Sequence, residues 1–339
     1  MDIAPLQHVH IAVVVPAYEA ERAIAQVLAS IPRIVRTVIV VADGCRDGTV
    51  DVVRDVARVD PRVVLEVHEQ NRGVGAATRT GYVRALALGA DVVVKMDADG
   101  QMDPDYLPNL VLPIVLGQAD YAKGNRFLRP RSLRQMPRLR MVGNVALSFM
   151  SKVSSGYWNV LDPTNGYTAI SREALSLMDL EGVDERYFFE SSMLVQLGLI
   201  RAVVADVPLP SRYGDEESHL SLAHSVVSFS MKHTRYFVWR MVYRYLLTDF
   251  SPVSLLLLTS VPLTLFGTVF GMRSWLRSVL YAVPATAGTV MLAAFTTAGG
   301  LLCLLQAMIY DIMSVPQRPI SPPRLRLVPV RTDAGADSG

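Results

Sequence analysis

Val92-Val93-Val94-Lys95-Met96-Asp97-Ala98-Asp99-Gly100-Gln101 joins a valine-rich apolar run to two carboxylates and an amide at every second position. The run reads as a buried parallel strand, and open α/β sheets bind ligands beyond the carboxyl ends of their strands. In an extended chain alternate side chains share a face, so Asp97, Asp99 and Gln101 can converge on one point. Three hard oxygen groups there suit Mg2+ or Mn2+ held together with a diphosphate. Asp-x-Asp is short and common, however, and taken alone the same residues also describe a polar turn closing a strand.

Working outward, residues 9–15 read as a strand stopped by Pro16, followed by a helical pattern over 20–30. Residues 37–41 form a second buried strand ending at Ala42-Asp43-Gly44, and Asp47-Gly48-Thr49 leads into a helix to about Arg58. A third strand spans 62–67, a helix runs from Gly73-Val74-Gly75 to about Leu88, and 91–96 make the fourth strand. Strands alternating with helices of this length predict an α/β fold, a doubly wound and mostly parallel sheet. Residues 162–170 read as a turn into a short strand, 186–190 as the opening of a helix that runs through Gly198, and 202–207 as another strand. One domain is expected over residues 1–215.

Several stretches in this half invite a chemical reading. Gly73-Val74-Gly75 at a helix start could let backbone amides approach a phosphate, or could serve close packing. Position 78 is Thr, so Gly-x-Gly-x-x-Gly is not completed. Asp43, at a strand's carboxyl end, could accept from a nucleotide base or ribose. Glu190, among apolar neighbours, is either a paired acid or a site group. Between Gly124 and Arg140, Arg126, Arg129, Arg131, Arg134, Arg138 and Arg140 occur without an acidic residue. Six like charges repel one another without a counter-anion, and arginine forks suit phosphate, so a phosphate or an anionic lipid surface is expected there.

The character of the chain changes after residue 215. Residues 216–249 interleave aromatics with Lys232, His233, Arg235, Arg240 and Arg244, as in helices lying in a membrane interface. Phe250 to Met272 carries no charged residue. At about 1.5 Å per residue this run crosses a hydrocarbon core of roughly 30 Å. A second uncharged run, 278–310, follows Arg273 and Arg277, and Pro284 is the expected start of its helix. Two transmembrane helices, 250–272 and 284–310, are therefore predicted. The arginines flanking them place both termini and the catalytic part in the cytosol. Residues 315–339, rich in Pro and Arg, read as a disordered tail.

Composition narrows the function. A formal net charge of +2 argues against a nucleic-acid binder. Hydrophobic residues make up 51% of the chain, with the excess after residue 250. Two cysteines, Cys45 and Cys303, give no disulfide framework and suit a cytosol-facing domain. No cleaved signal peptide is expected. An integral protein of the cytoplasmic or ER membrane is the resulting expectation, with a homo-oligomer left open.

Val15-Pro16-Ala17-Tyr18, Ala42-Asp43-Gly44-Cys45-Arg46-Asp47-Gly48-Thr49, Asn71-Arg72-Gly73-Val74-Gly75 and Asp97-Ala98-Asp99-Gly100-Gln101 resemble, in order and spacing, the family 2 glycosyltransferases of GT-A fold. With the basic–aromatic segment and two later spans, the chain resembles the polyprenyl-phosphate subgroup, which includes dolichol-phosphate mannose synthases and bactoprenol glucosyltransferases. The resemblance implies that Pro16, Tyr18 and Asp43 line a nucleotide pocket. It implies that Asp97, Asp99 and Gln101 hold Mg2+ or Mn2+ against the donor diphosphate. Arg126 would bind the acceptor phosphate, with Arg131 or Arg134 as a second, and Arg212 would approach the donor phosphates. The sequence departs from the pattern at Ala42 for Asp, at Glu19 for Asn, and at Gly214–His219 for the late Gly-Glu-Ser-Lys; these bear on the donor's identity.

The reaction so implied moves one sugar from a nucleotide sugar to a polyprenyl phosphate, with inversion, at the cytosolic membrane face. A processive polysaccharide synthase would carry Gln-x-x-Arg-Trp, which Tyr236-Phe-Val-Trp-Arg240 is not. A family 2 enzyme acting on a glycan or another non-prenyl acceptor remains an alternative. A non-catalytic membrane scaffold would be expected to have lost the Asp97, Asp99 and Gln101 triad.

Overall fold

The computed structural model describes residue 6 and residues 8–126, 138–209 and 222–324. Its centre is a seven-stranded sheet in the order β3-β2-β1-β4-β6-β5-β7. The strands are β1 (Ile11–Ala17), β2 (Val35–Asp43), β3 (Val63–His68), β4 (Val92–Lys95), β5 (Tyr121–Asn125), β6 (Thr168–Ser171) and β7 (Val204–Pro208). All pairings are parallel except those of β6, which runs antiparallel to both β4 and β5. Helices α1 (Ile24–Ser30), α2 (Thr49–Val59) and α4 (Leu107–Val115) cover one face. The other face is covered by α3 (Val74–Ala87), α6 (Arg172–Leu177) and α7 (Phe189–Leu199). The two-residue period of β1 shows in its burial: Ile11, Val13 and Val15 enter the first core, Ala12 and Val14 the second.

Pro16 does not stop β1. It lies in the strand opposite Val41. Val14 and Pro16 share one side of β1, and the last rung on that side is Met96 N–H to the Val14 carbonyl, 3.0 Å. The next rung would need the amide that Pro16 lacks, so pairing with β4 ends there while β1 stays paired with β2 through Ala17. The sequence reading also passed over β5, whose Tyr-Ala-Lys-Gly-Asn lacks the β-branched signature of its neighbours yet is buried throughout.

Helix α5 (Arg138–Ser155) packs on α7 and on α8 (Leu222–Val242), which continues as a π-helical turn over Tyr243–Thr248. Two helices long and apolar enough to cross a membrane follow, α9 (Pro252–Tyr281) and α10 (Ala287–Met313). Small residues let them approach closely: a Cβ on Gly267 would meet the Thr296 and Thr297 side chains, and one on Gly300 the backbone of Thr264. The second helix starts at Ala287 rather than Pro284, because the Thr286 side chain accepts from the Thr289 amide at 3.2 Å and caps it.

The segment expected to be disordered from residue 315 is ordered as far as Arg324, the last described residue. The cause is the fully buried Asp120, whose carboxylate receives the amides of Ile320 and Ser321 at 3.0 and 2.8 Å and the Ser321 hydroxyl at 2.7 Å. Arg324 adds ion pairs to Asp91 and Glu173 at 2.8 and 2.7 Å.

Where α8 meets the end of α10, Arg240 is completely buried and forks onto Asp311, with Nη1–Oδ1 at 2.7 Å and Nη2–Oδ2 at 2.9 Å. It also donates to the Ser154 and Val153 carbonyls of α5, both at 3.0 Å. Removing one partner strands the other charge, so Arg240→Met or Asp311→Leu alone is expected to cost about 3–5 kcal/mol. Both changes in one chain should cost less than their sum. Thermal unfolding of the four proteins in detergent checks this, and strict additivity would contradict the coupling.

Candidate active site

The carboxyl ends of β1, β2 and β4 open onto one cleft. Its first part is lined by Pro16, Tyr18, Asp43, Asn71, Gly73 and Tyr187. A middle part shares Pro16, Tyr18 and Tyr187 with it and reaches Asp97 and Asp99. The last part is lined by Asp97, Asp99, Gln101, Asp103, Arg126 and Asn165, among others. The residues expected at a nucleotide pocket, the oxygen triad and Arg126 thus lie along one continuous surface. Arg129, Arg131, Arg134 and Arg212 lie outside the described residues.

The triad gathers by a different route from strand alternation. β4 ends at Lys95, and residues 96–101 turn, with Gly100 at φ +75° and the Gln101 amide bonded to Asp99 Oδ1 at 2.9 Å. Lys95, buried to 1% exposure, holds Asp97 Oδ1 at 2.7 Å and stands 3.6 Å from Glu190. Burial opposes its charge, but the two carboxylates outweigh that and raise its pKa above the usual lysine value. Glu190 is therefore the paired acid of the two readings open for it. Among the described residues no three His, Cys, Asp or Glu side chains cluster as a metal cage. Two carboxylates and an amide do fit a hard cation whose other ligands come from substrate phosphates.

Asp43 lines the cleft, with its carboxylate turned to its own loop. It is 2% exposed and accepts from the Gly73 amide at 2.7 Å, the Arg72 amide at 3.0 Å and His68 Nδ1 at 2.7 Å. Its role here is to hold the 71–73 wall. The glycines of that wall serve packing: a Cβ on Gly75 would fall 2.0 Å from the Asp184 carbonyl. The amides of Gly75 and Ala76 are already taken by the Glu185 carbonyl, at 2.9 and 3.1 Å. Those two amides of the helix terminus are therefore not open to an anion.

Arg126 is held from behind by Asp162, which it grips through Nε at 2.9 Å and Nη2 at 3.1 Å. Burial opposes ionisation of Asp162, but the Arg126 bond and charge, helped by Lys123, hold its carboxyl below the usual range. Lys123 is itself buried, donates to the Asn165 carbonyl at 2.8 Å, and is pushed down to about 8 by desolvation. Lys95, Lys123 and Asp162 were not among the expected site residues. A lysine ending the apolar run of β4 is the signal that could have found Lys95, since buried lysines are almost always paired.

Fold and cleft define a glycosyltransferase of the GT-A kind. Residues 12–177 match the glycosyl transferase family 2 profile. A UDP-N-acetylglucosamine–dolichyl-phosphate N-acetylglucosaminyltransferase from Methanococcus voltae is 32% identical over 213 residues, 59% of this chain and 84% of that protein. A polyprenol monophosphomannose synthase from Mycolicibacterium smegmatis is 36% identical over 155 residues, 45% of this chain and 58% of that one. The glucosyl-3-phosphoglycerate synthase of Mycobacterium tuberculosis, solved with Mn2+, UDP and phosphoglyceric acid, shares the fold. Its TM-score is 0.52 at 22% identity, over 70% of this chain and 80% of that one. The chain belongs to the family 2 glycosyltransferases.

Two predictions follow from the geometry. A depressed Asp162 pKa means that its pairing stabilises fully above the unfolded carboxylate value of about 3.9 and is lost as pH falls through the lower folded value. Arg126→Ala reverses the shift, so the acid limb of the unfolding midpoint against pH should move to higher pH; an unmoved limb would contradict the assignment. Glu19, where the family has Asn, sits at φ +48°, a region that Asn tolerates and Glu does not. Glu19→Asn should stabilise the fold by about 1 kcal/mol, read as a higher melting temperature.

Proposed function

We propose that this glycosyltransferase moves one sugar from a nucleotide sugar to a polyprenyl phosphate, dolichyl or undecaprenyl, at the cytosolic face of a membrane. Both chain termini then lie on that face. The observation that carries the reading is the shared cavity of Asp97, Asp99, Gln101 and Arg126. It sets oxygen ligands against a guanidinium across one space, as a donor diphosphate and an acceptor phosphate require. The relatives named above for dolichyl-phosphate and polyprenol transfer support that acceptor class.

Asp97, Asp99 and Gln101 would hold Mg2+ or Mn2+, which when bound supplies positive charge to the leaving diphosphate. Lys95 keeps the Asp97 carboxylate in place on the protein side. Pro16, Tyr18 and the wall braced by Asp43 receive the nucleoside. Tyr18 is exposed at the cleft, and its hydrogen bond to the Glu19 carboxylate raises its pKa. A phosphate monoester has a second pKa near 6, so the acceptor arrives largely as a dianion. No side chain need remove a proton. Arg126 has instead to orient the dianion for in-line attack on the anomeric carbon, which inverts that centre. Arg131, Arg134 and Arg212 would add charge on the two phosphate sides.

Enzyme reconstituted with Mg2+ or Mn2+ should transfer sugar to undecaprenyl or dolichyl phosphate, with UDP-glucose, UDP-GlcNAc, GDP-mannose and dTDP-sugars screened as donors. Asp99→Ala should abolish turnover, and unchanged turnover would sink the metal assignment. Arg126→Ala should raise KM for the lipid acceptor far more than for the donor; equal effects would remove its proposed role.

A further inference from the structure

Tyr187 is 69% exposed, yet the chain on either side of it is fixed. Before it, the Glu185 carbonyl takes the Gly75 and Ala76 amides that open α3, and Asp184 grips Lys232 of α8 at 2.5 Å. The Tyr236 hydroxyl of α8 donates to the Gly182 carbonyl at 3.1 Å. After it, Phe188 and Phe189 are buried. The Phe188 ring stacks on Tyr236, with centroids 5.6 Å apart and 17° between the planes, and meets His233 and Phe229 edge-on. Tyr187 therefore stands out of a turn that packing holds from both ends, so its backbone is placed before any ligand arrives.

A single exposed aromatic is ordinary on a protein surface. This one has company. Tyr18, just past the carboxyl end of β1 and also exposed, lines the same two parts of the cleft. Pro16, Ala17, Val74 and Ala77 give the first part an apolar lining. Among the described residues there, the one carboxylate, Asp43, is already bonded to the Gly73 and Arg72 amides and to His68. An apolar slot with two phenol rings suits a flat ring system better than a phosphate or a sugar, and Asn71 and Arg186 supply polar groups for the edge of such a ring. Stacking on an aromatic side chain is tolerant of the base, because every base has a π-face. A tyrosine brings that surface at low entropic cost, since few torsions have to be fixed.

We propose that Tyr187 is a donor-binding residue that stacks on the nucleobase of the nucleotide sugar, in the slot it shares with Tyr18, and does so for purine and pyrimidine alike. The inference rests on the reading of the donor as a nucleotide sugar and makes no use of the acceptor. Helix α8 acts as the positioning element, since the Phe188–Tyr236 stack and the Asp184–Lys232 pair set where the turn stands. Choice among donors then lies with groups that meet the edge of the base or the sugar.

The test uses full-length protein in detergent with Mg2+ or Mn2+, and measures binding of UDP, GDP and inorganic pyrophosphate by calorimetry. Tyr187→Ala should weaken UDP and GDP about tenfold each and leave pyrophosphate, which has no base, unchanged. Tyr187→Phe, which keeps the ring, should bind both nucleotides like the wild type. In turnover, Tyr187→Ala should raise KM for the nucleotide sugar by a similar factor, with KM for the acceptor held. The side chain is mostly exposed, so neither substitution should move the unfolding midpoint. Undiminished nucleotide binding by Tyr187→Ala overturns the proposal. So does a loss that pyrophosphate shares, which places the damage at the metal end of the cleft. A loss confined to one base, or an equal loss in Tyr187→Phe, also overturns it, because the contact is then an edge or a hydroxyl rather than a ring face. Failure of the wild type itself to bind either nucleotide would instead remove the donor reading, and this proposal with it.

Discussion

The buried fork between Arg240 and Asp311 joins the parts of this molecule that sequence keeps apart. An ion pair out of water survives only where every remaining polar group is satisfied. Here the guanidinium also bonds two α5 carbonyls, and Asp311 also receives the Tyr245 hydroxyl at 2.6 Å and the Trp158 indole. Its surroundings follow from that demand. Gly156 sits at φ +82°, and a Cβ there would fall 2.8 Å from Arg240 Nη1, so the α5 terminus must end on glycine. The serines of α5 are small enough to let α8 approach. One pair thus fixes the catalytic domain to the hairpin, and the strap from Asp120 to Ser321 fixes it a second time.

Periodicity made most of the domain legible. Apolar strands followed by helices of one amphipathic face gave β1 to β4 and α1 to α3 within a few residues, because each buries a face that its own pattern declares. What escaped depends on partners distant in sequence. β5 is held by β6 and β7, and no local signal of Tyr-Ala-Lys-Gly-Asn announces a strand. Pro16 looked like a stop because only its pairing with β2, distant in sequence, carries the strand past the point where the β4 ladder ends. The strap at 315–324 looked disordered because its Pro-rich composition hides a carboxylate two hundred residues away that requires its amides.

The site shows the same division. Motifs placed Pro16, Tyr18, Asp43, Asp97, Asp99, Gln101 and Arg126 along the cleft, but not what positions them. Two charged groups facing the cleft have a countercharge behind them: Lys95 behind Asp97, and Asp162 behind Arg126. These backing residues are more buried than the groups they hold, so their orientation is set by packing rather than by solvent. Asp43 shows what a motif leaves out. It lines the cleft at the expected position, and its carboxylate also accepts from the Gly73 and Arg72 amides and from His68, because a loop held at Gly73 needs a fixed acceptor there.

A transferase joining a water-soluble donor to a lipid phosphate has to open in two directions. On the proposed function the cleft has that form, with Tyr18 and Tyr187 at its donor end and Arg126 at the other. The proposed chemistry needs little from acid–base groups and much from fixed charge, which accounts for carboxylates and guanidinium that are braced rather than mobile. The Arg240–Asp311 fork braces the helical side in the same way, since it ties the Val153 and Ser154 carbonyls at one end of α5 to the end of α10, and neither can shift without breaking buried charge.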